Sequence, residues 1–422
     1  MLTIKVIREQ AQEVCSRLSV KNFDAATLVQ QVVNLDDHRR ALQTKMDTAQ
    51  SEQNNAAKQI GALLQQGKRK EAEEAKLATA TAKERIKEWD TELQAITQQL
   101  NQTLVLIPNI PSQLVPVGKG AQENQVIREG GTVFEKENSL PHWELADKYQ
   151  LIDFDLGVKI TGAGFPLYKG KGARLQRALI SYFLDFNCGA GYMEIQPPLL
   201  INEASGFGTG QLPDKEGQMY YVGLDNFYLI PTAEVPVTNM YRDMILEAKE
   251  LPIKLTAYTP CFRREAGSYG KEVRGLNRLH QFDKVEIVQI CKPDDSYMAL
   301  DLMVEHVEKM IQSLGLPYRI LRLCGGDMGF ASALTYDFEV WSAAQGMWLE
   351  VSSVSNFETF QSNRLKLRYR DEKSKTQLLH TLNGSALAIP RIVAALLENN
   401  QDDKGIDIPK VLYPYTDFTR IE

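Results

Sequence analysis

Two long stretches in the N-terminal part of the chain place mostly apolar or small residues at alternating spacings of four and three, the heptad pattern of paired helices. In the first stretch the seam positions are Leu28, Leu35, Leu42, Ala49, Ala56 and Leu63, together with Val32, Arg39, Met46, Gln53 and Ile60. In the second they are Ala72, Thr79, Ile86, Leu93 and Leu100, interleaved with Ala75, Ala82, Trp89 and Ile96. A glycine-containing turn, QQGK at 65–68, separates the two stretches. The pattern predicts an antiparallel helical hairpin over 27–104 with its tip near 65–69.

The predicted hairpin has two interpretations. Heptads alone most often indicate a structural or oligomerising coiled coil, whereas an arm that extends ~54 Å at ~1.5 Å per residue can reach a large ligand. The cluster of Lys68, Arg69 and Lys70 near the tip is a weak signal for phosphate contact, because acids such as Glu71 and Glu73 accompany it. Both interpretations stay open at this point.

Outside the hairpin the pattern is mixed. The segment LVLIPNIPSQLVPVG at 104–118 contains three prolines, which excludes a helix. Helices are predicted at 7–18, 142–151, 173–187, 233–243, 296–314 and 388–399, and strands at 192–196, 227–230, 255–264, 280–290, 319–323, 336–341 and 347–353. The helices are too few and the strands too unevenly spaced for a repeated strand–helix–strand array. We therefore expect an α+β fold in which an antiparallel or mixed sheet is flanked by helices.

The strands predicted at 255–264 and 280–290 are joined by a loop rich in glycine and basic residues. Alternate residues of a strand share a face, so Arg263 and Glu265 would project together if the first strand reaches them. An arginine and a glutamate beside a mobile basic loop suit a triphosphate and an amino group. For an isolated pair, a surface hairpin with solvated charges is the more frequent alternative. The glycine-rich segment at 161–174 adds no phosphate loop, because it fits neither GxxxxGK(S/T) nor GxGxxG.

Composition excludes several classes of protein. Hydrophobic content of 43% and charged content of 24% are ordinary for a globular protein. No apolar run approaches the ~20 residues that cross a bilayer, and the first residues predict no signal or transit peptide. Five scattered cysteines and five dispersed histidines indicate a reducing cytoplasm and argue against disulfides or a cysteine zinc site. The net charge of −6 excludes a generally basic nucleic-acid binder, so any RNA contact must use local patches.

Three separated blocks resemble the signature motifs of the class II aminoacyl-tRNA synthetases. Residues 173–198, which end in Pro197-Pro198, resemble motif 1. Phe262-Arg263-x-Glu265, within 255–290, resembles motif 2, and GSALAIPR at 384–391, within 382–399, resembles motif 3. The helical hairpin and the segments GTGQLP at 208–213, PTAE at 231–234 and EVSS at 350–353 are similar to those of the seryl-tRNA synthetases in particular. The resemblance covers nearly the whole chain and divides it into a tRNA-binding arm, 1–108, and a catalytic domain, 109–422.

The resemblance implies a two-step reaction. L-serine and ATP give seryl-adenylate and pyrophosphate, and the seryl group then passes to the 3′ end of tRNA(Ser), with tRNA(Sec) left open as a second acceptor. It also implies Mg²⁺ as the companion of ATP, a homodimer formed through motif 1, and a cytoplasmic enzyme without a membrane association. The arm would read the shape and backbone of the tRNA more than its bases.

The resemblance assigns residues to each substrate. The serine-binding set is Thr232, Ala233, Glu234, Glu286 and Ser385, and the ATP-binding set is Arg263, Arg264, Glu265, Phe282, Glu350, Val351, Ser352, Ser353 and Arg391. Arg263 would bridge the α-phosphate and the amino-acid carboxylate, Phe282 and Arg391 would cover the two faces of adenine, and both arginines count as catalytic. Glu350 and Ser353 are the candidates for Mg²⁺, with Glu339 a weaker one.

Two other classes of function stay open. The first is a ligase that loads an activated amino acid onto a carrier protein, and the helical arm argues against it. The second is a non-catalytic RNA-binding paralogue. Such a protein would have lost Arg263, Glu286 or Arg391, and all three are present. Thr232 and Ser385, taken singly, are more often a helix cap and a turn residue.

Overall fold

The computed structural model describes residues 1–134, 139–214, 216–265 and 274–422. The chain divides into two compact units. One contains 2–19 and 23–108, and the other contains Met1, 20–22 and 109–422. No helix in the described ranges is both long enough and apolar enough to cross a membrane. All five cysteines are free.

The first unit is helical. Its helices are α1 (Ile4–Glu9), α2 (Ala11–Ser19), α3 (Ala26–Gln65) and α4 (Arg69–Leu104). The paired helices α3 and α4 confirm the predicted hairpin, and Gly67 turns between them with a φ of 75°. On α4 every predicted seam position from Ala72 to Leu100 is buried or partly buried, and Thr97 is the one further position of that stretch that is partly buried. The single helix predicted over 7–18 is wrong, because the backbone leaves the helical region at Gln10.

The base of the arm departs from the heptad pattern. There Val29 and Asp36 are buried in α3, in place of the predicted Leu28 and Leu35. Asp36 accepts hydrogen bonds from Arg8 at 3.0 Å and from Arg39 at 2.7 Å, so its buried carboxylate is paired. A polar residue thus takes a core position that a hydrophobic pattern cannot assign.

The second unit is built around one large sheet with helices against it. Its helices are α5 (His142–Lys148), α6 (Phe154–Ile160), α7 (Gly170–Gly189), α8 (Glu203–Thr209), α9 (Glu234–Asn239), α10 (Ser296–Ser313), α11 (Thr359–Leu365), α12 (Ile389–Asn399) and α13 (Tyr413–Thr416). The large sheet contains β1 (Gln125–Gly130), β2 (Met193–Glu194), β3 (Ile253–Phe262), β4 (Gln281–Cys291), β5 (Tyr318–Arg322), β6 (Leu334–Ser342), β7 (Met347–Asn356) and β8 (His380–Ala388). Helices α6, α8, α11 and α13 were not predicted from the sequence.

The strands of this sheet lie in the order β1-β5-β6-β7-β8-β4-β3-β2. Every neighbouring pair is antiparallel except β2 with β3. Short strands form smaller sheets around it: Ile152–Asp153 with Leu167–Tyr168, Leu200–Ile201 with Tyr221–Val222 and Phe227–Leu229, Ile245–Glu247 with Arg368–Arg370 and Thr376–Leu378, and Ile406–Asp407 with Arg420–Ile421. The predicted α+β class, with a mainly antiparallel sheet, is confirmed.

The main core lies between this sheet and helices α7, α10 and α12. Phe183 on α7, Met303 on α10 and Leu396 on α12 are buried against Ile287 on β4 and Phe338 on β6. Helices α7 and α10 each bury one apolar face, whereas α12 is buried on all sides except at Arg391. This packing leaves the opposite face of the central strands β3, β4, β7 and β8 to carry polar side chains.

Candidate active site

Strand β4 carries a row of functional side chains on one face. Phe282, Lys284 and Glu286 alternate along it, so they project to the same side of the sheet. Across the ladder Glu286 lies opposite Ser385 of β8 and Ala257 of β3. The sequence therefore brings motif 2 and motif 3 residues together through strand pairing.

Two buried carboxylates meet at this row. The Lys284 ammonium lies 2.6 Å from Glu286 Oε2, as an ion pair outside hydrogen-bond geometry, and the Glu286 side chain is only 2% exposed. Glu234, in the first turn of α9, accepts a hydrogen bond at 2.6 Å from Nε2 of Gln361. Burial, and then the charge of Glu286, raise the pKa of Glu234 to about 7, although the Gln361 hydrogen bond and nearby cations oppose the rise. The cluster therefore favours an additional positive group.

Small side chains border these acids. The Thr232 hydroxyl accepts a hydrogen bond at 3.2 Å from the amide of Glu234, the first residue of α9, although the N-cap position itself is occupied by Ala233. Ala233 is fully buried and Ser385 nearly so. The Ser385 carbonyl accepts a hydrogen bond at 2.6 Å from the Ser352 hydroxyl, which ties β7 to β8. Buried Val351 is next to Ser352 in β7. All the residues assigned to serine thus lie in, or at the start of, elements that meet at the sheet centre.

Arg263 lies just beyond the end of β3. The strand stops at Phe262, so the predicted strand over 255–264 is too long, and the expected alternation of Arg263 with Glu265 is wrong. Instead, Glu265 has a φ of 46°, which turns the chain. The Arg263 guanidinium carbon lies 5.3 Å from the centroid of the Phe282 ring, and its Nε donates to the Pro231 carbonyl at 3.4 Å. Arg263 is therefore held between Phe282 and the segment that leads into α9.

Arg264 and Glu265 begin the loop of motif 2. Their amides donate to Gln218, the first to its carbonyl at 2.9 Å and the second to its side-chain oxygen at 3.1 Å. Arg264 is exposed, while Glu265 pairs with Arg278 at 3.0 Å. The glycines and basic side chain predicted for the middle of this loop, Gly267, Gly270 and Lys271, lie outside the described residues.

A β-bulge shapes the neighbouring strand β7. Ser352 pairs with Phe338 of β6 and Glu350 pairs with Glu339, so Val351 is the extra residue. Directly opposed residues share a face. Ser353, opposite Asp337, therefore lies on the same side as Glu350, opposite Glu339. Without the bulge, simple alternation would separate these two oxygen donors.

The acids around the bulge have different partners. Glu339 pairs with Arg319, so it is engaged in a strand-surface ion pair and is a poor metal ligand. Burial, and to a smaller extent the charge of Glu350, raises the pKa of Asp337 well above its usual range. The hydrogen bond with Ser353 lowers this pKa and only partly offsets the rise. Its Oδ1 is buried and without a hydrogen-bond partner. In the described ranges, no group of three or more His, Cys, Asp or Glu side chains is arranged to hold a metal ion.

Arg391 stands in the first turn of α12 and reaches back to two other segments. Its Nε donates to the Asn277 carbonyl at 3.1 Å, and its Nη1 donates to the Glu350 carbonyl at 2.7 Å. The same guanidinium lies 3.8 Å from the Glu350 carboxylate. Arg391 therefore connects motif 3 with both the motif 2 segment and the bulged strand.

Three residues of this region were not singled out from the sequence. Lys284 could have been found, because it alternates with Phe282 and Glu286 along β4. Gln361 and His142 gave no local signal. Each is joined to the site by hydrogen bonds over more than a hundred residues of sequence.

Comparison with known proteins agrees with this geometry. Residues 1–111 match the family described as seryl-tRNA synthetase N-terminal domain, and 221–400 match the tRNA synthetase class II core domain (G, H, P, S and T). The serine–tRNA ligase of Salinibacter ruber is 51% identical over 100% of this chain and 99% of its own.

Two solved structures are also similar. Seryl-tRNA synthetase from Pyrococcus horikoshii, complexed with ATP, has a TM-score of 0.93 and 32% identity, covering 100% of this chain and 99% of its own. Cytoplasmic serine–tRNA ligase from Naegleria fowleri, in complex with AMP, has a TM-score of 0.88 and 27% identity, with the same coverage. The chain described here belongs to the seryl-tRNA synthetase family of class II aminoacyl-tRNA synthetases, and it is an enzyme that ligates serine to tRNA.

Proposed function

We propose that the buried cluster around Glu286 is the serine-binding site. The observation that carries this proposal is the meeting of two buried carboxylates, Glu234 and Glu286, beside a single close ammonium among the described residues, that of Lys284. The ammonium of serine would supply the missing positive charge. The hydroxyls of Thr232 and Ser385 would face the serine hydroxyl in a pocket that Ala233 keeps small. Such a site rejects an analogue without the hydroxyl, because its own polar groups would be left unpaired.

ATP would lie beside this cluster. Arg263 would bridge the α-phosphate and the serine carboxylate, since its planar guanidinium suits both anions. Phe282 and Arg391 would cover the two faces of adenine. Glu265, which pairs with Arg278 in this structure, would release Arg278 and accept a hydrogen bond from the adenine amino group. Arg264 and the backbone of Val351 and Ser352 complete the ATP set. The contact between Arg263 and Phe282 supports this arrangement.

The first chemical step would need positioning more than acid–base catalysis. The serine carboxylate attacks the α-phosphate in line, pyrophosphate leaves, and Arg263 stabilises the charge that develops on the phosphate oxygens. Arg391 would reach the γ-phosphate. The 3′-terminal hydroxyl of the tRNA then takes the seryl group, and AMP is released.

Magnesium would accompany ATP on the bulged strand. The Glu350 carboxylate and Ser353 hydroxyl lie on one face and are hard oxygen donors, so they fit Mg²⁺, which is commonly bound by one or two protein oxygens and the substrate phosphates. Asp337, opposite Ser353, lies on the same face, and its buried Oδ1 has no hydrogen-bond partner, so an oxygen that could accept a bond lies beside these donors. When bound, the metal would neutralise charge on the phosphates.

The helical arm would recognise tRNA(Ser). Helix α3 has 40 residues, so it extends ~60 Å at ~1.5 Å per residue, long enough to follow the body of a tRNA. The basic residues at its tip, Lys68, Arg69 and Lys70, are exposed and suit backbone phosphates. Whether tRNA(Sec) is a second acceptor is decided by charging each transcript separately.

The enzyme would be a cytoplasmic homodimer. Ile160 is 70% exposed, and with Leu156, four residues earlier on the same face of α6, it forms an apolar patch. The patch borders a cavity of about 630 Å³ that the motif 1 helix α7 also lines, and Gln176 Oε1 in this cavity is buried without a hydrogen-bond partner.

The five free cysteines suit a reducing compartment. Sedimentation should show that Ile160→Asp dissociates the dimer while Leu77→Asp, at an exposed arm position, does not; an unchanged Ile160→Asp dimer would refute this interface.

The assignment of the ATP site is tested by serine-dependent pyrophosphate exchange. Arg263→Ala should lower adenylate formation at least ~10²-fold without loss of fold, as removal of a transition-state donor does. Arg370→Ala, which removes an exposed arginine of a peripheral sheet, is the matched control and should exchange normally. Near-normal exchange by Arg263→Ala would contradict the proposed role.

The arm is tested by replacing 28–100 with a short linker. The shortened enzyme should still activate serine, and it should lose its discrimination for tRNA(Ser) among total tRNA. Retained exchange reports an intact catalytic unit, so the charging result stands on its own. Charging that equals that of the full-length enzyme would rule out the role of the arm.

A further inference from the structure

A fully buried histidine, His142 at the start of α5, lies under the end of the motif 2 loop. The Leu276 amide donates to its Nε2 at 2.9 Å, so this nitrogen carries no proton. Its Nδ1–H therefore donates to Glu398 Oε1, at 2.7 Å. The His142 amide donates to the same oxygen at 3.0 Å, and the Ser342 hydroxyl donates to Oε2. The imidazole is thus fixed in one tautomer and one orientation.

These bonds attach the loop segment to α12 at two points. Glu398 and Arg391 are seven residues apart on α12, which places them on one face, two turns from each other. Glu398 holds Leu276 through His142, and Arg391 holds the next residue directly through the Asn277 carbonyl at 3.1 Å. Asn277 and Glu398 also share Gln345: the Asn277 side chain donates to Oε1 of Gln345 at 2.9 Å, and Nε2 of Gln345 donates to Glu398 at 3.0 Å.

The close approach of His142 also explains a glycine. Gly275 has a φ of 66°, and a Cβ added there would lie 2.2 Å from His142 Nε2. Any side chain at this position would therefore collide with the imidazole in a backbone conformation that already disfavours it. The guanidinium carbon of Arg274, one residue earlier, lies 4.7 Å from the centroid of the Trp143 ring. Two consecutive residues of α5, His142 and Trp143, therefore contact this segment.

We propose that His142 is a positioning residue for ATP. It would hold residues 275–277 so that the Asn277 carbonyl orients the Arg391 guanidinium toward the nucleotide. His142 itself would touch neither substrate. The inference rests on the proposed ATP-binding role of Arg391, and it adds a residue outside the three class II motifs to the machinery of the same site.

The test measures KM for ATP and KM for serine in pyrophosphate exchange. His142→Ala should raise the KM for ATP about three- to tenfold, the effect of losing one or two hydrogen bonds, and leave the KM for serine within twofold. His142→Gln should recover most of the loss, because its side-chain oxygen can accept from the Leu276 amide. A merely structural role would raise both KM values together and would not respond to glutamine.

A matched control is His306→Ala. His306 is a partly buried histidine of the same unit, and its Nε2 bonds with Asn187 at 2.7 Å, away from the loop. An equal rise of KM for ATP in His306→Ala would overturn the proposal. Arg391→Ala separates the two levels of inference. If it leaves KM for ATP unchanged, the proposed ATP site is wrong; if it raises KM for ATP and His142→Ala does not, only the role of His142 is wrong.

Gly275→Ala gives a second test that tolerates partial loss of stability. In the wild-type background the added methyl meets His142, so KM for ATP should rise. In the His142→Ala background the methyl has room, so the same substitution should have a smaller effect. Equal effects in both backgrounds would show that Gly275 and His142 do not act together, and would overturn the proposal.

Discussion

The pairing of Lys284 with Glu286 predicts a large loss of stability when the lysine charge is removed. Both side chains are almost fully buried, and the ammonium lies 2.6 Å from the carboxylate. Lys284→Met keeps the length of the aliphatic stem and deletes the charge. Glu286 would then be an unpaired buried carboxylate with Glu234 as a second acid nearby. Breaking a buried ion pair in this way costs about 3–5 kcal/mol of unfolding free energy.

The double variant Lys284→Met/Glu286→Gln gives the opposite expectation. It removes both charges, so most of the lost stability should return, since a buried pair and a neutral replacement are often of similar stability. The KM for serine should be higher in this variant than in the wild type, because a glutamine would offer no charge to the serine ammonium. The effect on stability and the effect on binding are therefore separated.

The assay is urea unfolding followed by tryptophan fluorescence. Three of the four tryptophans, Trp143, Trp341 and Trp348, lie in the unit that contains the site, so fluorescence reports mainly on that unit. Lys366→Met is the control in the same unit, because the pair of Lys366 with Asp243 spans 3.8 Å and is exposed; it should change the unfolding free energy by less than about 1 kcal/mol. A Lys284→Met enzyme as stable as the wild type, or a double variant as unstable as the single one, would refute the reasoning.

Three further predictions concern the same site. The pKa of Glu234 is about 7 in the folded protein and 4.5 in the unfolded chain, so between these pH values the folded state holds one more proton. The free energy of unfolding should therefore fall by up to about 3 kcal/mol as the pH rises from 4.5 to 7. Serine should bind more tightly above pH 7, where Glu234 is charged. Thermal unfolding with and without serine measures this, and an unchanged pH profile in Glu234→Gln would contradict it. Gln361→Leu removes the hydrogen bond to Glu234 and should raise the serine KM about tenfold; an unaltered KM in pyrophosphate exchange would show that the bond is not needed. Phe282→Leu should raise the KM for ATP about tenfold through lost stacking and spare the serine KM, and equal changes in both would argue against the adenine contact.

The arm and the strands were largely predictable from local patterns. On α4, a seam read from the spacing of apolar and small residues is the seam that packs, because a two-helix hairpin leaves one stripe for burial. The long strands β4, β6 and β7 begin within two residues of their predicted starts, since β-branched and aromatic residues mark them. The residues assigned to serine could be named from their motifs. Their meeting depends on the pairing of β4 with β8, which no single segment contains.

What the sequence could not give depends on distant partners. From the sequence alone Asp36 is expected to be an exposed acid. It is buried because Arg8 and Arg39 form ion pairs with it, and Arg8 belongs to a different helix. Strand β3 ends at Phe262 because the chain turns at Glu265, which has a positive φ. A positive φ is uncommon for glutamate, so the sequence does not predict this turn. His142 and Glu398 are 256 residues apart, so only the folded structure shows that they form one unit with Leu276.

The measurement that tests the central claim most directly compares serine with alanine in pyrophosphate exchange by the full-length enzyme. The two amino acids differ only in the hydroxyl that the pocket of Thr232, Glu234, Glu286 and Ser385 would bind. A buried site with polar partners for that hydroxyl predicts a preference for serine in kcat/KM of at least ~10³. Alanine activated within tenfold of serine would contradict the claim that this pocket reads the serine hydroxyl.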